Sequence, residues 1–319
     1  MIGRILRMVA LGLFAAASAA AEDPVSAFHA WAAEQGAGQA AIAILRDAEL
    51  VTADNADSPL DLASNSKAIT ALCILSLVEE GTLAWDLSLS AALGEPAPDA
   101  TLAELVTHSA GIAPDGTQWR MGFWLNETEP RHAHVTRIVL DRRTQRGTRG
   151  VFLYNNENYA LLGRIVEIAT GEPYETACRR RVLDPAGVAG ALSSRFAAFA
   201  AWGGWRMTMA DHARLVDHWF GRGGRVGADT LALPHAPMAG GAAYGLGMIH
   251  VRDADGMRLS HAGAIFIPLG PRTGSYVTVM RDGTVVAVAY DVAVTRPERF
   301  RALDRALAEA LSRDRSDRP

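Results

Sequence analysis

Lysine is almost absent from this chain of 319 residues: 30 of its 31 basic residues are arginine, and the single lysine is Lys67. Cysteine is nearly as scarce. Cys73 and Cys178 are too few for a disulfide scaffold. Both fall in apolar helical stretches and read as small buried hydrophobes, with one disulfide between them left open. Positive charge is not in excess either. The net charge of −4 implies no basic face, so nucleic acid is not an expected partner. No Gly-x-Ser-x-Gly elbow occurs, which removes the main feature of a Ser-His-Asp hydrolase. His132-x-His134 is the nearest approach to a metal motif. No neighbouring acid or cysteine completes it, so no metal and no cofactor are expected. Beyond residue 21 no apolar run is long enough to span a bilayer.

The first 21 residues have the features of a secretory signal. Arg4 and Arg7 form a charged start, Met8 to Ala17 an apolar stretch, and Ala19-Ala20-Ala21 a small-residue cleavage site. The expectation is a periplasmic or secreted protein with no stable membrane anchor after cleavage. Removal of the two arginines would take the mature charge to −6.

With 49% hydrophobic residues the remainder can bury a sizeable core. A helix is expected over 24–35, strands over Gln39–Leu45 and Leu50–Ala53, and a buried helix from Ser64 to Glu80, apolar on nearly all sides and stopped by Gly81. Helical patterns broken by Pro and Gly fill 86–190, and Met207–Phe220 continues them. Strands are expected at Gly247–Val251, Met257–His261, Ser275–Arg281 and Thr284–Tyr290, with Asp282-Gly283 as the last hairpin turn. A final helix over Arg296–Leu311 leads into a charged tail, 313–319, expected to be disordered. The fold class is therefore α/β (α+β). An antiparallel sheet flanked by helices is built from both termini (22–85 and 190–312), with a mainly helical insertion, 86–189.

Ser64 lies three residues before Lys67. With 15 serines in the chain, chance puts one there about one time in twenty (15/319). Positions i and i+3 share a helix face, so hydroxyl and amine come within reach of each other. A helix start also offers free N–H groups and a favourable dipole to developing negative charge. Arginine cannot surrender its proton near neutral pH, whereas a desolvated lysine can. A nucleophile with an amine partner accounts for the one lysine retained.

DLASNSKAIT resembles the Ser-x-x-Lys motif of the serine β-lactamase and penicillin-binding-protein superfamily. Three further features carry the resemblance. Residues 151–174, VFLYNNENYALLGRIVEIATGEPY, are similar to the Tyr-x-Asn segment of class C β-lactamases and related esterases. LSHAGAI, 259–265, is similar to the third motif, in its His-x-Gly form. LAELVTHSAGI (102–112) and WGGWRMTMADHARLV (202–216) resemble supporting segments, His108 being read as structural. In all, the match covers roughly 40–312.

The resemblance implies covalent acyl transfer on Ser64, with Lys67 or Tyr154 as base. Tyr154 would be a phenolate or proton relay, and Asn156 would orient the substrate amide or the lysine. His261 would open the third motif. Gly263 would let substrate approach the strand, and the Ala264 and Ser64 N–H groups would form the oxyanion hole. Arg272-Thr273-Gly274-Ser275 is a rival register for the third motif. It is rejected because the family places two strands and a helix after that motif. Histidine at 261, where many members carry lysine, weakens carboxylate recognition unless Arg272 or another arginine compensates. The expected function is thus an exported serine hydrolase for a small-molecule ester or amide. A penicillin-sensitive D-amino-acid peptidase acting on cell-wall peptides, a true β-lactamase, and an inactive peptidoglycan-binding relative are the alternatives.

Overall fold

The computed structural model describes residues 23–316 apart from 143, 228, 229 and 255. The expected signal segment and residues 317–319 lie outside this range. Asp23 caps the first helix, α1 (Pro24–Glu34), by accepting from the N–H groups of Val25 and Ser26. Strands β1 (Ala40–Arg46) and β2 (Glu49–Asp54) follow, then the two-residue β3 (Leu60–Asp61). A 3-10 turn, Ala63–Asn65, leads into α2 (Ser66–Glu79). Ser64 therefore sits in the turn ahead of the regular helix, which starts two residues later than expected.

The middle of the chain is helical: α3 (Leu89–Leu93), α4 (Leu102–Val106), α5 (His132–Leu140), α6 (Asn156–Thr170) and α7 (Tyr174–Cys178). Two short strands, β4 (Ala191–Leu192) and β5 (Trp205–Met207), enclose α8 (Ala200–Gly203), and α9 (Met209–Phe220) follows. The last third supplies β6 (Ala236–Pro237), β7 (Ala242–Gly245), β8 (Met248–Asp253), β9 (Gly256–Phe266), β10 (Arg272–Val279), β11 (Val285–Tyr290) and α10 (Pro297–Ser316).

Eight strands form one antiparallel sheet in the order β2-β1-β11-β10-β9-β8-β7-β6. Strands from both ends of the chain meet where β1 pairs with β11, Ala40 opposite Tyr290. Both faces of this sheet are covered, so its central strands are apolar throughout rather than alternating. Ala41, Ala43, Ala287 and Ala289 join the core that holds α2, whereas Ile42, Ile44, Val286 and Val288 pack on the side of α1 and α10. The buried α2 is apolar all round for the same reason.

Several boundaries differ from expectation. β9 runs five residues past His261, through the small residues Ala262–Ala264, whose low strand propensity hid it. β6 and β7 were not expected. The last hairpin closes across residues 280–284, with Met280 N–H donating to the Thr284 carbonyl, so the loop is wider than the Asp282-Gly283 pair alone. α10 continues to Ser316, four residues into the expected disordered tail. Two strands and a helix do follow His261, and the Arg272 segment is the neighbouring strand β10. Cys73 and Cys178 are both free and buried.

Candidate active site

The turn that carries Ser64 is fixed from two sides. Asn65 donates from Nδ2 to the Ser275 hydroxyl of β10 at 2.7 Å, and that hydroxyl donates to the Leu62 carbonyl at 2.5 Å. On the other side the Trp205 N–H donates to the Ser66 hydroxyl at 3.0 Å. Ala63, immediately before Ser64, adopts φ +47°, a left-handed conformation that costs an alanine energy and persists only where its surroundings enforce it.

Lys67 is fully buried on α2. Its Nζ stands 3.3 Å from Ser64 Oγ and donates to Asn156 Oδ1 at 2.9 Å and to the Trp202 carbonyl at 2.8 Å. The Tyr154 ring lies 4.8 Å from the same nitrogen. Burial lowers the lysine to about 7, opposed by the charge of Asp115. The amine is therefore about half neutral near pH 7.

Asn156 opens α6, and its neighbour Asn155 caps that helix by accepting from Glu157 N–H. Asn156 is held in turn from the loop before α5: its N–H donates to Asp115 Oδ2 at 3.0 Å and its Nδ2 to the Thr117 hydroxyl at 3.1 Å. Tyr154 is 39% exposed, but its hydroxyl lies beside Ser64. Burial there pushes the phenol above its ordinary value, with the neighbouring Ser64 hydroxyl pulling the other way. The site thus favours a neutral phenol over a phenolate.

His108, buried behind Tyr154 with ring centroids 4.4 Å apart, accepts at Nδ1 from the Asn155 N–H and the Asn158 amide. It also touches the Tyr159 and Tyr244 rings, which makes it a wedge that positions the tyrosines.

His261 is buried on β9, 3.4 Å from the Tyr244 hydroxyl through Nε2. Burial first, and then the charges of Lys67 and His212, lower its pKa to about 3, so it is neutral at physiological pH. Two residues on, a Cβ at Gly263 would fall 2.5 Å from the Leu62 carbonyl and 2.9 Å from the Ser64 nitrogen. Only glycine lets the strand press this closely on the nucleophile's amide. Pairing of β9 with β8 ends at Ser260. Beyond it that edge of β9, carrying Gly263 and Ala264, is without a strand partner and faces the Ser64 turn. Arg272 pairs with Phe266 and lies 4.9 Å from its ring, on the face of β9 opposite to His261 and Gly263. From this position Arg272 does not stand in for the missing lysine, so the weakened carboxylate recognition expected of His261 keeps its ground at this residue.

His132 and His134 do not act together. His132 is engaged at Nδ1 with Glu167 (2.8 Å) and at Nε2 with the Ala201 N–H (3.2 Å), while His134 packs edge-on against Trp124.

Ser64, Lys67, Tyr154, Asn156 and His261 come together at one place. Asp115, Thr117, Tyr244 and the Trp202 carbonyl belong there too and were not expected. Asp115 and Thr117 lie in Pro-Asp-Gly-Thr, which reads as an ordinary turn. A backbone carbonyl leaves no mark on the sequence.

The beta-lactamase family model matches residues 22–312. Penicillin-binding protein 4* of Bacillus subtilis (strain 168) is 31% identical over 139 residues, 41% of this chain and 30% of that protein. The chain thus matches about a third of the length of this relative. The crystal structure of a beta-lactamase from Sulfitobacter sp. EE-36 superposes with a TM-score of 0.71 at 17% identity, covering 91% of this chain and 97% of that one. That of a D-stereospecific amidohydrolase from Streptomyces sp. gives 0.67 at 18% identity, covering 91% and 98%. The last two establish likeness of fold; the family match over most of the chain shows that it belongs to the beta-lactamase family of serine hydrolases.

Proposed function

We propose that the protein is an exported hydrolase that cleaves an ester or small amide through a covalent acyl-enzyme on Ser64. The observation that supports this most directly is Lys67, buried, at about 7 and 3.3 Å from the Ser64 hydroxyl. Neutral Lys67 takes the Ser64 proton as Oγ attacks the carbonyl carbon. The N–H groups of Ser64 and Ala264 receive the oxyanion. Tyr154, as a neutral phenol beside Ser64, hands a proton to the leaving group and takes its replacement from Lys67. Water then releases the acyl group. Residues 1–21 direct export to the periplasm or medium and are removed.

The preference for an ester over a carboxylate-bearing substrate follows from His261. A buried neutral imidazole offers no permanent charge to a carboxylate, and Arg272 turns to the other face of the strand. The open edge of β9 favours a second reading, a penicillin-sensitive peptidase or true β-lactamase, because an extended peptide can pair along it.

The test is hydrolysis of p-nitrophenyl acetate together with intact mass after incubation with benzylpenicillin, each against Ser64→Ala. Ester turnover lost in the variant, with no lasting penicillin adduct, supports the proposal. An adduct lasting hours assigns a penicillin-sensitive peptidase, and drug destruction within seconds a β-lactamase. Neither turnover nor adduct leaves the inactive relative. The mass also reads whether residues 1–21 have been removed.

A further inference from the structure

A helix as short as α8 (Ala200–Gly203) cannot satisfy its own backbone. Its first N–H groups have no partner within the turn, and the whole turn is buried, so each needs an acceptor from elsewhere in the protein. His132 of α5 answers the Ala201 N–H, which donates to its Nε2 at 3.2 Å. Because that nitrogen accepts, the ring proton is on Nδ1, and Nδ1–H donates to Glu167 Oε1 of α6 at 2.8 Å. Arg164 donates to the other oxygen of the same carboxylate at 3.1 Å.

In a helical turn the N–H groups point one way along the axis and the carbonyls the other. The carbonyls of α8 accordingly meet α2. That of Ala201 accepts from the Thr70 hydroxyl at 2.6 Å, and that of Trp202 from Lys67 Nζ at 2.8 Å. His132 and Lys67 thus grip one turn from opposite ends. Helix α6 is shaped for this grip. A Cβ at Gly163 would fall 2.7 Å from Ala201 Cβ and 2.7 Å from His132 Cε1 and Nε2. Glycine inside a helix costs stability against alanine; here it leaves the space through which the imidazole reaches α8. Glu167 is one turn further along α6, on the same face as Gly163.

We propose that His132 and Glu167 are positioning residues for Lys67: acting through α8, they hold the Trp202 carbonyl against its Nζ and so keep the amine beside Ser64. The inference rests on the reading of Lys67 as the base given above. Neither residue touches the reacting atoms. Lys67 has two acceptors besides Ser64. Asn156 is fixed through Asp115 and Thr117. The Trp202 carbonyl, being backbone, is fixed only through its own turn, and His132 holds that turn from the far side. The other titratable groups facing Lys67 are Asp115, His108, His261, Tyr154 and Tyr159, and none of them contacts Glu167.

Lys67 is the one lysine of the chain. Lysine isotope-labelled at Cε therefore gives a single magnetic resonance signal that titrates with the amine, whether or not substrate is turned over. The wild-type midpoint is expected at about 7. His132→Phe keeps a ring but offers Ala201 no acceptor. The turn shifts, the protonated amine loses the Trp202 carbonyl, and the midpoint falls by about one unit. Glu167→Ala, at the partly exposed end of these contacts, lowers it by about half as much. Glu167→Gln, whose amide oxygen still accepts from Nδ1–H, returns it to the wild-type value. A role confined to core packing lowers the melting temperature and leaves every midpoint in place. Near-ultraviolet circular dichroism identifies the folded variants. An unmoved midpoint in folded His132→Phe overturns the inference; where that variant does not fold, an unmoved midpoint in Glu167→Ala does so. Turnover of p-nitrophenyl acetate separates this from the hydrolase reading. Midpoints that move in a protein without Ser64-dependent turnover leave the placement of Lys67 standing and overturn that reading. Unmoved midpoints with Ser64-dependent turnover do the reverse.

Discussion

The side-chain oxygen of Asn156 lies 2.9 Å from Nζ of Lys67, closer than the Ser64 hydroxyl at 3.3 Å. Asn156 is thus an acceptor that steadies the protonated amine, while its own amide donates to Thr117. Removing the acceptor in Asn156→Ala destabilises the ammonium form and shifts the acid limb of the kcat/KM profile to lower pH. Asn156→Asp places a carboxylate beside the amine and shifts that limb up by about one unit or more. Activity falls by about tenfold to a hundredfold in both, because Lys67 loses its placement. Opposite shifts in the two variants are the readout; a common shift would contradict the assignment.

Lys67 itself sets the wild-type profile. Because the neutral amine is the base, kcat/KM rises about tenfold per pH unit below 7 and levels off above it. Lys67→Arg, which cannot deprotonate in this range, loses about a thousandfold or more. Stability has the same sign. The folded value is about 7 and the unfolded one 10.5, so stability from this group rises between those two pH values and is constant below 7. Lys67→Met is therefore inactive yet melts no lower than the wild type at pH 7.

Gly263→Ala tests the contact between β9 and the nucleophile. The added methyl would meet the Leu62 carbonyl at 2.5 Å and the Ser64 nitrogen at 2.9 Å, both backbone atoms that cannot swing aside. The turn and the strand must part, which displaces one oxyanion donor. Loss of one such donor costs about 100- to 1000-fold in kcat. Far-ultraviolet circular dichroism checks that the variant folds, and an activity near the wild type's would show that Ser64 N–H is not used.

How much of this was legible in the sequence depends on whether side chains or backbone carry the function. Ser64 and Lys67 were visible because one residue spacing encodes their contact and because lysine is otherwise absent. The sheet built from both ends was visible in the apolar runs of β1 and β11. The far half of β9 was not, since Ala-Gly-Ala has low strand propensity while the site needs small residues to bring the strand onto Ser64. The Trp202 carbonyl was invisible for a simpler reason: any residue supplies one. Asp115 was hidden because a carboxylate in Pro-Asp-Gly is what a turn needs anyway. Whether Arg272 could compensate for the missing lysine was not legible, because its face of the strand depends on the register with Phe266, which composition does not reveal.

The last prediction concerns acid. His108, His212, His250 and His261 are all buried, and burial holds each below its ordinary value, to about 4 for His212 and His250 and about 3 for His261. The unfolded chain takes up protons on these residues near pH 6.5, while the folded chain refuses them until far lower pH. Stability is therefore complete above about 6.5 and is lost as pH falls toward the folded values, by up to about 1.4 kcal/mol per pH unit for each histidine. Urea midpoints should fall steeply between pH 6.5 and 5, where surface carboxylates are still ionised. His212 tests the cause, because desolvation alone lowers it and its Nδ1 is buried without a partner. In His212→Gln the slope of stability against pH should become shallower by about 1.4 kcal/mol per unit. An unchanged slope would assign the acid sensitivity to other groups.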